Sequence, residues 1–167
     1  MLVRFETPDA DTGRAFNVSC APMFQKQKLL FLCTGNAARS QMAEALARLD
    51  HGDLFDVVSA GSHPTGWVHP LAIKAMEALG ADMSKATSKS ASLFLDQPMD
   101  LVVTVCDSAA ADCPSWPRAK HIEHWSIEDP SFGPDDPTTR YDRFVETRDD
   151  LRTRINDLAA RFPGEGT

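Results

Sequence analysis

A cysteine and an arginine six positions apart, Cys33 and Arg39, have the clearest chemical meaning in this chain. A thiolate is a nucleophile, and a guanidinium binds two oxygens of a tetrahedral oxyanion. Gly35 allows the backbone to turn tightly between them, and Ser40 can donate a hydrogen bond to the sulfur. The spacing predicts a loop whose N–H groups surround an anion and lower the pKa of the Cys33 thiol. The predicted oxyanion-binding residues are Thr34, Gly35, Asn36, Ala37, Ala38, Arg39 and Ser40.

The elements around this loop alternate between strands and helices. Residues 29–32 form a short apolar run, typical of a strand buried on both faces of a parallel sheet. Residues 55–60, 101–105 and 121–125 are three further predicted strands. Apolar stripes at helical spacing predict helices after the loop, at 72–79 and over 141–162. The alternation predicts an α/β fold of three layers, a four-stranded parallel sheet with helices on both faces.

The chain has 167 residues, of which 43% are apolar, and this is enough for one domain with a single core. Residues 1–27 are polar and show no period, so they are predicted to be a flexible N-terminal extension. Residues 28–162 carry the regular pattern and are predicted to be the functional domain.

Charge and apolar runs exclude several classes of partner. A net charge of −7 argues against nucleic acid and anionic membranes. No run reaches the roughly 18–20 apolar residues that span a bilayer, and the first 27 residues lack the apolar stretch of a signal peptide. We therefore expect a cytoplasmic protein whose four cysteines (Cys20, Cys33, Cys106 and Cys113) are thiols rather than a disulfide framework.

The segment LFLCTGNAARSQMAEA, residues 30–45, resembles the opening of the low-molecular-weight tyrosine phosphatase fold. It resembles most closely the arsenate reductases built on that fold. The resemblance runs from about residue 28 to about residue 162 and includes Ser59-Ala60-Gly61 and Asp129-Pro130. It implies that the Cys33 thiolate attacks a tetrahedral oxyanion in line and that Asp129 protonates the departing oxygen.

Two later cysteines, Cys106 and Cys113, favour the reductase over the phosphatase. Cys106 ends the third predicted strand, at the sheet edge where Cys33 ends the first. Cys113-Pro114 fits the pattern of the family's thioredoxin-coupled reductases. The resemblance implies a relay in which Cys106 attacks the Cys33–arsenic adduct and releases arsenite. Cys113 then moves the disulfide outward, where thioredoxin reduces it.

The seven-residue spacing of Cys106 and Cys113 has a mechanical consequence. On a regular helix the two would lie about 10 Å apart, whereas a disulfide needs Cα atoms within about 7 Å. Residues 106–113 are therefore predicted to loop back or unwind when the bridge forms. A helical turn at 109–111 in the reduced state, lost on oxidation, is the corresponding hypothesis.

Two alternatives stay open at this point. The first is a low-molecular-weight protein tyrosine phosphatase that hydrolyses phosphomonoesters through a cysteinyl-phosphate. Such an enzyme needs neither Cys106 nor Cys113, and Ser131-Phe132 stands here where those phosphatases tend to place tyrosines. The second is a non-enzymatic oxyanion or arsenic sensor. Arsenate is the expected ligand, with phosphate or sulfate as mimics, and no metal or organic cofactor is implied.

A cation site known in some reductases of the family is altered here. Asn36, Glu44 and Ser59 match three of the side chains that hold potassium beside the loop, and the fourth position is Lys89. An ammonium at that position can take the place of the cation and neutralise Glu44. We therefore expect activity that is independent of potassium, although a solvated surface Lys89 is an equally good interpretation of the sequence.

Overall fold

The predicted strands form one parallel sheet in the computed structural model, which describes residues 25–112 and 116–162. They are β1 (Gln27–Cys33), β2 (Phe55–Gly61), β3 (Met99–Thr104) and β4 (Ala119–His124). The order across the sheet is β2-β1-β3-β4, and every neighbouring pair is parallel. The prediction of a four-stranded parallel α/β fold is confirmed.

Four α-helices accompany the sheet in the described residues: α1 (Arg39–His51), α2 (Pro70–Glu77), α3 (Asp107–Asp112) and α4 (Pro137–Ala160). The helices α2 and α4 begin with a proline, whose fixed φ suits the first helical position. The terminal helix starts four residues before the predicted position 141, because the Asp136 side chain caps it by accepting the N–H of Thr139 at 2.9 Å.

The two faces of the sheet are covered unequally. The larger core lies between the sheet and α1, α2 and α4, and its fully buried side chains include Phe31, Leu46 and Phe144. The opposite face carries a smaller cluster formed by Leu30, Val102 and the short 3-10 helix Ala91–Leu93, among others. The layer on that face is therefore thin. In the described part of the chain, no helix is both long enough and apolar enough to cross a membrane.

The strand register brings the carboxyl ends of β1 and β3 to one edge of the sheet. Leu32 of β1 lies opposite Thr104 of β3, and the N–H of Val105 donates to the Leu32 carbonyl at 2.7 Å. Cys33 follows Leu32 and Cys106 follows Val105, so both cysteines lie at the edge where ligands of open α/β sheets bind.

Candidate active site

The loop from Cys33 to Ser40 connects β1 to α1, and hydrogen bonds from a neighbouring segment hold its backbone in place. Carbonyl groups of the loop accept N–H bonds from residues 62–69: Cys33 from Ser62 (3.2 Å), Thr34 from His63 (2.9 Å), Gly35 from Thr65 (3.0 Å) and Ala37 from His69 (2.7 Å). The carbonyl of Asn36, whose φ is +46°, accepts from Gln41 Nε2 at 3.1 Å. Because the carbonyls point outward, the amide N–H groups are left for the inside of the loop. This is the arrangement of an anion-binding nest.

The sulfur of Cys33 lies at the floor of this loop. Ser40 Oγ is 2.8 Å from Cys33 Sγ, and the Asn36 N–H donates to the same sulfur at 3.2 Å. The side chain is almost completely buried, with 3% exposure. Burial raises the pKa of the Cys33 thiol, whereas the Ser40 hydrogen bond and the charge of Arg39 lower it.

The expected lowering of the Cys33 pKa is therefore wrong, because the effect of burial exceeds that of the groups that lower the pKa. The Arg39 guanidinium, which would bind an oxyanion in the loop, is held by other groups. Arg39 Nη2 lies 2.7 Å from Asp129 Oδ2, and Nη1 donates to the carbonyl of Ile127 at 3.0 Å. The other carboxyl oxygen of Asp129 accepts the Ser131 N–H at 2.9 Å. An oxyanion that binds in the loop must compete with Asp129 for Arg39.

The second thiol of the site is Cys106, which also has 3% exposure. Its Sγ is 3.5 Å from the hydroxyl of Thr34, the residue that follows the first thiol. A negative charge on Cys106 raises the pKa of the Cys33 thiol. Residues 107–112 form helix α3 directly after Cys106, in agreement with the predicted helical turn. Cys113, and also Cys20, lie outside the described residues.

The residues of the expected cation site are brought together. Glu44 accepts hydrogen bonds from the Ser59 hydroxyl and from Lys89 Nζ (3.4 Å), and it pairs with Arg48 Nη2 at 2.6 Å. Asn36 Nδ2 donates to Ser40 Oγ and Ser59 Oγ, both at 2.9 Å. The network joins the cation-site residues to the hydroxyl beside the Cys33 sulfur.

Several residues of the site carry no signal in the sequence. Gln41 Nε2 joins Asn36 to the carbonyl of Thr87, and neither contact follows from a motif. Trp67 and Arg140 line the cavity of about 310 Å³ that has Cys33 in its wall. They come from segments far from the loop in sequence, so only the folded chain shows that they belong to the site.

Loss of the Ser40 hydroxyl is expected to raise the pKa of Cys33 further. A hydrogen bond to a charged group contributes about 1.5 kcal/mol, so Ser40→Ala should slow alkylation of Cys33 at neutral pH by about tenfold. The measurement is the rate of iodoacetamide modification against pH, followed on the Cys33 peptide, and the curve should move to higher pH. Ser92→Ala, which removes an exposed hydroxyl bonded to Ser90, is the control. An unchanged curve for Ser40→Ala would contradict the assignment.

Comparisons with known proteins agree with this geometry. The model of the low molecular weight phosphotyrosine protein phosphatase family matches residues 28–165. An arsenate reductase of Halalkalibacterium halodurans is 42% identical over 134 residues, which are 80% of this chain and 96% of that protein. A solved arsenate reductase in the phosphate-binding state superimposes with a TM-score of 0.70 at 31% identity, covering 81% of this chain and 98% of that one.

A thioredoxin-dependent arsenate reductase of Corynebacterium glutamicum is also similar, with a TM-score of 0.64 and 30% identity. That alignment covers 82% of this chain and 62% of the other protein. The family match extends over most of the described residues and includes the loop, both thiols and Asp129. The chain therefore belongs to the low molecular weight phosphotyrosine protein phosphatase family, and it is similar in sequence and fold to arsenate reductases.

Proposed function

We propose that this chain reduces arsenate to arsenite through Cys33, Cys106 and Cys113, with thioredoxin as the final reductant. The observation that carries the proposal is the second buried thiol, Cys106, at the same sheet edge as Cys33 and in contact with Thr34. Hydrolysis of a phosphate ester has no use for that thiol. The arsenate reductases at about 40% identity, one at 42%, support the same conclusion.

The first step is attack of the Cys33 thiolate on arsenic. A sulfur–arsenic bond forms, and an oxygen of arsenate leaves as water after Asp129 gives it a proton. The inward N–H groups of the loop and the Arg39 guanidinium stabilise the charge on the remaining oxygens. In this step Arg39 exchanges its partner Asp129 for the oxyanion, which leaves the carboxyl group to carry a proton.

The second step moves electrons to arsenic. Cys106 attacks Sγ of Cys33, a sulfur–sulfur bond forms, and the electron pair of the sulfur–arsenic bond goes to arsenic, which leaves as arsenite. Cys113 then attacks the sulfur of Cys106 and frees Cys33. Its role rests on the sequence pattern, as does the unwinding of α3 that a Cys106–Cys113 bridge requires.

Reduction of the final disulfide closes the cycle. A dithiol such as thioredoxin returns two electrons and two protons to Cys106 and Cys113, and this chemistry belongs to a reducing compartment, which we propose is the cytoplasm. The arsenate reductase of Corynebacterium glutamicum depends on thioredoxin, which supports this choice of reductant. Residues 28–162 are proposed to form the catalytic domain, with residues 1–27 as an extension.

Mass spectrometry after exposure to arsenate without reductant tests the proposal directly. The wild-type chain should release one arsenite and lose two hydrogen atoms, with the disulfide between Cys106 and Cys113. The Cys33→Ser variant should release no arsenite and lose no hydrogen atoms. A chain that hydrolyses p-nitrophenyl phosphate but forms no disulfide with arsenate would be a phosphatase, the alternative that shares the first step.

Asp129→Asn is expected to change catalysis and binding in opposite directions. The amide cannot donate the proton, so kcat for arsenate reduction should fall by about 10²–10⁴-fold. The same change removes the anionic competitor at 2.7 Å from Arg39, so inorganic phosphate should bind more tightly. Steady-state arsenite formation and calorimetric titration with phosphate measure the two effects. Asp142→Asn, at an exposed position of α4, is the control, and an unchanged kcat in Asp129→Asn would exclude the proposed acid.

The ammonium of Lys89 is proposed to take the place of a bound cation. It lies 3.4 Å from Glu44 Oε2 and donates to the Thr87 carbonyl at 3.1 Å, while its backbone N–H donates to Asn36 Oδ1 at 2.7 Å. Replacement of potassium by tetramethylammonium at constant ionic strength should leave kcat/KM unchanged. In Lys89→Ala, kcat/KM should fall several-fold and potassium should restore part of it. A several-fold loss in the wild-type chain on removing potassium would refute this role.

A further inference from the structure

The cavity above Cys33 contains a second arginine that the proposed chemistry does not use. Arg140 lies in the first turn of α4 and lines the same cavity as Cys33, Arg39 and Asp129. The cavity measures about 310 Å³, which is more room than a tetrahedral oxyanion on the loop requires. Arg140 is therefore a partly exposed positive group on the wall of the cavity that also contains Cys33.

The two arginines of the cavity differ in how firmly they are held. Arg39 is 12% exposed and is bound by a carboxylate and a carbonyl group. Arg140 is 39% exposed, and its partner Asp135, 3.0 Å away, is 90% exposed. Because an exposed pair of this kind contributes little in water, an incoming anion can displace Asp135 at little cost.

The backbone of Arg140 is fixed, although its side chain is not. Its N–H donates to the Asp136 carbonyl at 2.8 Å, and the Asp136 side chain caps the helix through Thr139. Hydrogen bonds from Thr139 hold the pKa of the Asp136 carboxyl below its usual range, so this cap stays charged. The helix is anchored further on by the buried Phe144.

The charge of Arg140 reaches the inner wall of the cavity. His69, whose N–H holds the Ala37 carbonyl of the loop, lines the same space. Burial lowers the pKa of the His69 imidazole, and the positive charge of Arg140 lowers it further. The whole chain carries a net charge of −7, which repels a dianion, so a local positive charge at the entrance matters for capture.

We propose that Arg140 captures the incoming oxyanion at the entrance of the cavity and that Asp135 competes with the anion for its guanidinium. Arg140 is thus an affinity-determining residue for the proposed reaction, on whose function this inference rests. It acts on binding rather than on the chemical step: the loop and Arg39 surround the reacting oxygens, while the charge of Arg140 on the wall of the same cavity attracts the anion. The two members of the pair should have opposite effects on binding.

Titration of the purified chain with inorganic phosphate tests this without relying on arsenate reduction. At an ionic strength of about 0.02 M, Arg140→Gln should weaken phosphate binding by about 3- to 10-fold, and Asp135→Asn should strengthen it by about 2- to 3-fold. Both effects should shrink at about 0.3 M salt, where exposed charges are screened. In arsenate turnover the same changes should appear in KM, with kcat unchanged.

Arg154→Gln is the matched control for loss of positive charge. Arg154 is 38% exposed and pairs with Asp150 on the same helix at 3.1 Å, but it does not line the cavity. Its replacement should leave phosphate affinity unchanged. The proposal is overturned if Arg154→Gln weakens binding as much as Arg140→Gln, if Asp135→Asn also weakens binding, or if Arg140→Gln lowers kcat and leaves KM unchanged. If phosphate binds as expected but arsenate is not reduced, the proposed function fails and the role of Arg140 stands.

Discussion

Cys106→Ser is expected to stop arsenite formation while leaving the hydrolysis of p-nitrophenyl phosphate at its original rate. Serine keeps nearly the size of the buried side chain and can still contact the Thr34 hydroxyl, which lies 3.5 Å from the sulfur. It cannot attack the sulfur of Cys33 as a thiolate does, so the arsenic adduct has no route to arsenite. Ester hydrolysis uses Cys33, Arg39, Asp129 and water, but it needs no second thiol.

Two assays on the same preparation measure this effect. Arsenite is followed with thioredoxin, its reductase and a nicotinamide reductant present, and nitrophenol is followed in their absence. Cys20→Ser is the matched control, because Cys20 lies outside the predicted relay. Continued turnover of arsenate by Cys106→Ser would remove Cys106 from the mechanism, whereas loss of both activities would mean that the site itself had been damaged.

Gly61→Ala should abolish both arsenate reduction and ester hydrolysis, because the added methyl group would push against the backbone of the anion-binding loop. A Cβ atom at Gly61 would lie 2.5 Å from the Thr34 carbonyl oxygen and 2.9 Å from the Asn36 nitrogen. These are backbone atoms of the anion-binding loop, which cannot move without moving the N–H groups. Because a displacement of about 1 Å in a catalytic group costs about 10²-fold, kcat for both substrates should fall by at least that factor.

The control for Gly61→Ala is another glycine of the same chain. Gly80 has a φ of +80° and no atom within 4 Å of an added Cβ, so Gly80→Ala should cost about 1 kcal/mol of folding free energy through backbone strain. Its kcat should remain unchanged. Thermal unfolding of both variants separates loss of fold from loss of geometry. A Gly61→Ala variant with wild-type kcat would show that the loop tolerates the displacement.

The loop was predictable because its parts are contiguous in sequence. A buried strand, residues 33–40 and a helix stripe identify the nest in the sequence, although in the folded chain residues 62–69 hold its carbonyl groups. Cys106 was also placed at the correct edge, since parallel strands end together and Leu32 lies opposite Thr104. The order of the strands and the thin layer on the second face depend on packing, which the local pattern does not contain.

The direction of the Cys33 pKa shift differs from the prediction for a physical reason. Local reasoning counts the N–H groups, Ser40 and Arg39, all of which favour a thiolate. It does not count the burial of the sulfur by the folded chain, which raises the pKa of the Cys33 thiol. The sequence does not predict Arg140 as a site residue either, because only the tertiary fold brings this helical arginine to the cavity.

The outward hydrogen bonds of the loop carbonyls have one more consequence. Four of them come from N–H groups of residues 62–69, so the folded chain itself holds the loop in this shape. The receptor for the oxyanion is thus preorganised, and binding does not have to supply the entropy of ordering a backbone segment. Affinity for the anion is therefore determined partly by the connection between β2 and α2, a stretch that supplies no reacting atom.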